Sequence, residues 1–244
     1  WLADNTERIE FGPLVSPVSF RHPAMTARMA SAVDDLSDGR LQLGLGAGWQ
    51  VREHNNYSYD LLAIPPRFDR FEEGLEIITH LLQSEEPLDF DGEYYKMNEA
   101  GLLPRPQRPG GPPIVIGGNG PKRTLPLVAR FADEWNALFC PPTKIAELNA
   151  KLDELLTANN RKPQDVRRSL MTGTIISDDE TTINEKLRGR TLEEVRERGL
   201  IAGKPSEIGE QIAEFEEAGI QRIMLQWLDV DDIDGLEVLA KNLL

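Results

Sequence analysis

The feature that most constrains this chain is a series of short apolar runs ending in small residues, with helical stretches between them. Residues 41–46 read Leu-Gln-Leu-Gly-Leu-Gly and residues 114–117 read Ile-Val-Ile-Gly. A strand that is apolar on both faces must be covered on both faces, as a parallel strand between helices is. The spacing predicts strands over 9–15, 41–46, 114–117, 135–139, 169–176 and 222–227. Helices are predicted at Pro23–Leu36, 67–83, 121–131, 144–158, Glu180–Leu187, 191–199, 206–218 and 231–244. The first opens behind His22 with Pro23 in its first turn and stops at Ser37-Asp38-Gly39. Residues 47–66 read as a loop. Residues 87–113 read as an insertion whose hairpin pairs 88–90 with 94–96 around Asp91-Gly92-Glu93. Strand–helix alternation argues for an α/β fold with a parallel sheet. Six units suit a doubly wound sheet, whereas a (β/α)₈ barrel suits the 244-residue length but asks for eight strands.

Charge narrows the partners. Lys and Arg number 27 against 41 Asp and Glu, a net charge of −14. That balance excludes the broad basic face that nucleic acid or an anionic membrane needs, and leaves room only for a local cationic pocket. The single cysteine, Cys140, excludes an internal disulfide framework and Cys-based zinc sites, and is expected to be a small buried residue. No apolar run approaches the ~18 residues of a membrane span, and no signal-peptide pattern opens the chain. The expectation is a soluble, cytoplasmic protein with a small-molecule substrate.

The segment 114–123 is the richest in chemistry. An apolar strand runs into Gly117, Gly118, Asn119 and Gly120, a helix is expected to open at Pro121, and Lys122 and Arg123 follow. Glycines let backbone N–H groups approach an anion, and a helix start adds partial positive charge. The functional reading is a phosphate cradle; the plainer one is a tight turn that needs glycine for its backbone angles. A Walker motif is excluded because no Gly-Lys-Ser/Thr ending is present. The run Gly44-Leu45-Gly46-Ala47-Gly48-Trp49 lacks the helix start and the downstream acid of a dinucleotide fingerprint. It reads as a strand end against which a flat ring can lie, or as close packing inside a sheet. His54, in the loop after this strand, and His22, after the first strand, are candidate site residues, with a capping role for His22 as the plainer reading. His80 belongs to an amphipathic helix. No histidine–carboxylate spacing forms a metal-ligand set, and no nucleophile elbow is present. The acidic runs 178–180 and 229–234 read as solvated faces and helix starts.

Taken together, several stretches resemble the luciferase-like monooxygenase superfamily, and within it the oxidoreductases that use the deazaflavin F420. They are 6–12, 15–23, 37–49, 52–54, 67–73, 90–95, 113–120, 132–136, 203–207 and 218–226. The resemblance implies a (β/α)₈ barrel in which the strand at 9–15 is the third. Two βα units, about 60 residues, would then precede Trp1. The expectation is therefore a longer natural polypeptide, or open edges covered by a partner chain, and intact mass tests it. The resemblance also implies a cofactor, F420 or alternatively FMN, at the carboxyl mouth of the barrel. Its phosphate contacts match Gly117, Gly118 and Asn119, with Gly120 beside them. Gly46, Ala47, Gly48 and Trp49 match the strand end beside the ring. Leu14 and Val15 match a non-proline cis peptide behind the ring, with Pro13 standing where threonine is common. His54, Trp49 and Arg52 are expected to border the pocket, and Trp49 replaces the acid of the sugar-phosphate dehydrogenases. An Asp–His pair of the family would fall before Trp1. The implied activity is hydride transfer between F420 and a small organic substrate by a homodimer. The alternatives are an FMN-dependent monooxygenase and a non-catalytic truncated barrel subunit.

Overall fold

A computed structural model describes residues 1–228 and 230–243. Asp229 of the second acidic run and Leu244 of the final predicted helix lie outside the described residues. The chain divides into two compact units, 1–134 and 135–244.

The first unit contains α1 (Leu2–Asn5), β1 (Ser16–Pro17), α2 (Pro23–Leu36), β2 (Leu43–Gly46), α3 (Val51–Tyr57) and α4 (Ile64–Gln83). It continues with β3 (Leu88–Asp91), β4 (Lys96–Ala100), β5 (Ile114–Gly117) and α5 (Thr124–Phe131). Strands β1, β2 and β5 are parallel neighbours, with Ser16 opposite Leu45 and Leu45 opposite Ile116. Leu43, Leu45, Ile114, Val115 and Ile116 are all buried, as their two-faced apolar pattern requires. Helix α4 turns Phe71, Leu75, Ile78 and Leu82 inward. It packs on α2, whose inward residues Ala27 and Ala30 are small.

Several expectations are corrected. The strand predicted over 9–15 is reduced to one parallel bridge, Phe11 to Leu41, before β1. Pro13 has no N–H to give a ladder, which breaks the pairing there. The loop predicted over 47–66 contains α3, a polar helix with one buried residue, His54, and so no apolar period to read. The hairpin pairs Phe90 with Met97 and Asp91 with Lys96, so its turn spans 92–95, later than predicted. The Glu73 carboxylate fixes this turn by accepting from the amides of Glu93 (2.7 Å), Tyr94 (3.0 Å) and Tyr95 (3.1 Å). The insertion is also tied down by Arg105, which donates to the Leu81 and Leu82 carbonyls, and by Arg108, which pairs with buried Asp34 at 3.0 Å.

The second unit holds β6 (Glu134–Leu138, opening at the boundary), α6 (Pro142–Ala158), β7 (Arg167–Ile176), α7 (Glu180–Leu187) and α8 (Leu192–Glu197). After them come β8 (Ile201–Gly203), α9 (Pro205–Glu217), β9 (Arg222–Gln226) and α10 (Ile233–Leu243). Strand β7 pairs in parallel with β8, Thr174 opposite Ile201, and with β9, Ser169 opposite Arg222. Strand β8 was not predicted. It is three residues long and, among the described residues, pairs only with the end of β7, too short for a period. Cys140 is buried, and burial pushes its thiol pKa up. Among the described residues no helix is long and apolar enough to cross a membrane.

Candidate functional site

The carboxyl ends of β2 and β5 are glycine, at Gly46 and Gly117, and form a shelf of backbone. A Cβ on Gly44 would overlap the Pro13 carbonyl oxygen, and one on Gly46 would lie 2.7 Å from Val15 Cγ2. A Cβ on Gly117 would stand 3.3 Å from Val15 Cγ1. Val15 therefore fills the space that three glycines leave, and the bare strands exist because the 13–15 segment lies directly against them. The Leu14–Val15 peptide bond is cis. Leu14 is exposed, Val15 half-buried and Gly46 buried. The shelf is thus glycine backbone at the ends of two parallel strands, backed by Val15, with Gly46 buried.

At its edge, residues 117–120 are half-exposed backbone. Gly118 has φ +130°, a conformation L side chains rarely adopt. Helix α5 starts at Thr124, not Pro121. The turn 121–123 is closed by Thr124 N and Leu125 N, which both donate to the Gly120 carbonyl at 3.0 Å. Arg123 does not reach into the cradle. Its guanidinium pairs with Asp69 on α4 and lies over the Phe68 ring. Lys122 is exposed.

His54 is fully buried, so it supports the site and does not line it. Its Nδ1 is 2.7 Å from the Gln50 carbonyl and its Nε2 2.8 Å from Ser19 Oγ. A carbonyl only accepts, so Nδ1 carries a proton, and in the neutral ring Nε2 accepts from the Ser19 hydroxyl. Gly48, at φ +90°, lies directly on this ring, since a Cβ there would be 3.3 Å from Nε2. Arg67 holds the same turn by donating to the Gly48 carbonyl at 3.1 Å. Ser19 and Arg67 were not among the expected site residues. They lie 35 and 19 positions from their partners, too distant for any local pattern. Trp49 and Arg52, just beyond the turn, are both exposed, with Ala47 half-buried. His22 is the cap of α2, its Nδ1 accepting from Ala24 N at 3.3 Å, and its ring meets Tyr95 edge-on. Among the described residues no group of three or more His, Cys, Asp or Glu is placed to hold a metal ion.

Known proteins supply the remaining evidence. A family model described as luciferase-like monooxygenase matches residues 1–193. An F420-dependent glucose-6-phosphate dehydrogenase of Intrasporangium calvum is 32% identical over 184 residues, covering 70% of this chain and 52% of that protein. A pyrimidine monooxygenase of Methylobacterium radiotolerans is 34% identical over 153 residues, 57% of this chain and 37% of that protein. The chain spans about half the length of the curated relatives it matches. The structure of a coenzyme F420 dependent tetrahydromethanopterin reductase from Methanopyrus kandleri superposes with a TM-score of 0.79 over 98% of this chain and 84% of that one, at 18% identity. This likeness, with the parallel strands, gives the fold as the α/β barrel type of the luciferase-like proteins. The chain belongs to the luciferase-like monooxygenase family.

Proposed function

We propose that this chain is an oxidoreductase that binds the deazaflavin F420 at the ends of β2 and β5 and moves a hydride between it and a small organic substrate. The observation that carries the reading is the shelf itself, glycine backbone backed by Val15 and ending in the half-exposed 117–120 backbone. Its shape fits a planar ring on Gly46 to Gly48 and an anionic tail on Gly117, Gly118, Asn119 and Gly120. When bound, such a cofactor supplies the carbon that gives or takes the hydride. The chain's own residues orient and shield. Val15 and Leu14 back the ring, the Ser19–His54–Gln50 bonds and Arg67 hold the Gly48 turn, and Trp49 and Arg52 border the substrate side. F420 is preferred because several of the matched relatives are described as F420-dependent. FMN with monooxygenation is the second reading, favoured by the match to a pyrimidine monooxygenase.

Titrating the protein with F420 and, separately, with FMN while following ring fluorescence tests both readings. F420 binding with no FMN response is the expected outcome, and tight FMN with no F420 response reverses the choice. Gly118→Leu forces a side chain onto φ +130° and against Thr124, 3.3 Å away. It should weaken cofactor affinity at least about tenfold, about 1.4 kcal/mol, while the circular dichroism stays native. Undiminished affinity in that folded variant removes the cradle from the site. The protein is also proposed to work as a homodimer, because α2 leaves Met25, Met29, Ala32 and Leu36 exposed along one face.

A further inference from the structure

Within the first unit, one hydroxyl and one buried imidazole are joined as an acid–base pair. Ser19 lies in the turn Val18–Phe20 directly after β1, at the carboxyl end of that strand, and is half-buried. Its Oγ is 2.8 Å from His54 Nε2, and His54 Nδ1 is 2.7 Å from the Gln50 carbonyl oxygen. With the ring proton on Nδ1, Nε2 accepts from the Ser19 hydroxyl. A hydroxyl, a base and a group that orients the base, each within hydrogen-bond reach of the next, is the arrangement that activates an oxygen. Among the described residues no group donates to Ser19 Oγ, so its lone pairs are uncommitted.

The surroundings favour proton transfer at this pair. A Cβ on Gly48 would stand 3.3 Å from His54 Nε2 and 3.4 Å from Ser19 Oγ, so glycine there keeps the space beside both atoms free of a side chain. The Phe20 and Tyr59 ring centroids lie 5.2 and 6.3 Å from that of His54, and the imidazole is fully buried. A hydrogen bond shielded from water in this way is stronger than one in solvent. His54 also stands in the last turn of α3, where the helix dipole favours a positive ring. A residue that only held the Gly48 turn would need none of this. Hydride transfer from a carbon that bears a hydroxyl leaves a proton to be taken up, and the pair lies at the strand ends where the shelf is formed.

We propose that Ser19 is the proton-transfer residue for a substrate that is an alcohol when reduced and a carbonyl compound when oxidised, with His54 as the positioning residue that holds the proton. The proposal rests on the oxidoreductase reading above. As the substrate C–H bond breaks and its hydrogen leaves with the electron pair to the cofactor, the substrate O–H proton passes to Ser19 Oγ. The Ser19 proton passes to His54 Nε2, and the C–O single bond becomes double; the reverse sequence returns both. The test reads the hydroxyl without cofactor or substrate. Phenylmethanesulfonyl fluoride added to the full chain should form an O–S bond at Ser19 as the S–F bond breaks, fluoride leaves and the proton goes to His54. Peptide mass mapping locates the label. Ser19→Ala should lose it, and Ser206→Ala, at an exposed serine of α9, should keep it. His54→Gln should slow labelling at least about a hundredfold, the low end of what a positioned base contributes. Where His54→Gln does not fold, S19C decides: iodoacetamide should alkylate it faster than free glutathione at the same pH, because the imidazole takes the thiol proton. Saturating F420 should suppress labelling in the parent but not in Gly118→Leu. The proposal is overturned if folded parent takes no label at Ser19, if His54→Gln with native circular dichroism is labelled as fast as the parent, or if S19C reacts no faster than glutathione. It is equally overturned if F420 binds and leaves labelling unchanged. Labelling of Ser19 in a parent that binds neither F420 nor FMN overturns the cofactor reading instead and leaves the activated hydroxyl standing.

Discussion

Val15 sets the geometry of the shelf. Its two methyl groups occupy the space over Gly46 and Gly117, so each glycine is fixed by a side chain that arrives from the segment just ahead of β1. Gly46→Ala would place a methyl 2.7 Å from Val15 Cγ2, an overpacking that costs roughly 1–3 kcal/mol. Urea denaturation should show that loss in Gly46→Ala and a partial return in the Gly46→Ala/Val15→Ala pair, because neighbours in contact are not additive. Simple addition of the two single losses would mean that Val15 does not fill this space. His54 illustrates the opposite lesson. Sequence position placed it near the site, yet its two ring bonds and complete burial make it a prop for the Gly48 turn.

Helix α2 shows two faces with different roles. Ala27, Ala30, Ser31 and Asp34 are buried, whereas Met25, Met29, Ala32 and Leu36 are exposed at spacings of four, three and four. That spacing is the seam of paired helices. Light scattering should therefore find a dimer for the parent chain and a monomer for Met29→Lys/Leu36→Lys, which puts two charges on an exposed seam without touching the buried face. A monomeric parent, or a dimer that survives both lysines, rules this face out as the contact. Helix α3 was invisible in the sequence for a related reason. Only His54 of its seven residues is buried, so no apolar stripe announces it, and its start rests on the Gln50 side chain accepting from Arg52 N at 3.4 Å.

For the molecule as a whole, acid stability depends partly on one buried carboxylate. Asp34 accepts from Leu41 N at 3.2 Å and pairs with Arg108 at 3.0 Å, which ties α2 to the strand that follows and to the insertion. Burial raises its pKa above the ordinary 3.8, against the opposing pull of Arg108, and neighbouring Asp35 adds a smaller push upward. The folded chain thus holds this proton more tightly than the unfolded one. Between the ordinary value and the raised one, unfolding releases a proton, so the Asp34 contribution to stability falls as pH rises through that interval. Asp179, Glu180 and Asp232 have lowered values and act in the opposite sense, losing stabilisation as pH falls. Urea midpoints measured from the ordinary aspartate range upward should separate the two. Asp34→Asn should remove the downward slope and leave the acid-side loss; an unchanged slope would assign it to another group.

The order and type of the longer elements were legible in the sequence, because burial on two faces writes an unbroken apolar run and burial on one helix face writes a 3.6-residue period. The glycine-rich ends of 41–46 and 114–117 were legible too, since close approach of another backbone leaves only glycine. What came against Gly44 and Gly46 was decided by tertiary structure alone: Val15 and Pro13 lie about thirty positions earlier, and no local pattern encodes that distance. The partners of His54 and the commitment of Arg123 to Asp69 were likewise settled only when the chain closed. Periodicity records which way a residue faces, whereas the identity of its neighbour depends on loops and crossovers whose sequences carry no period.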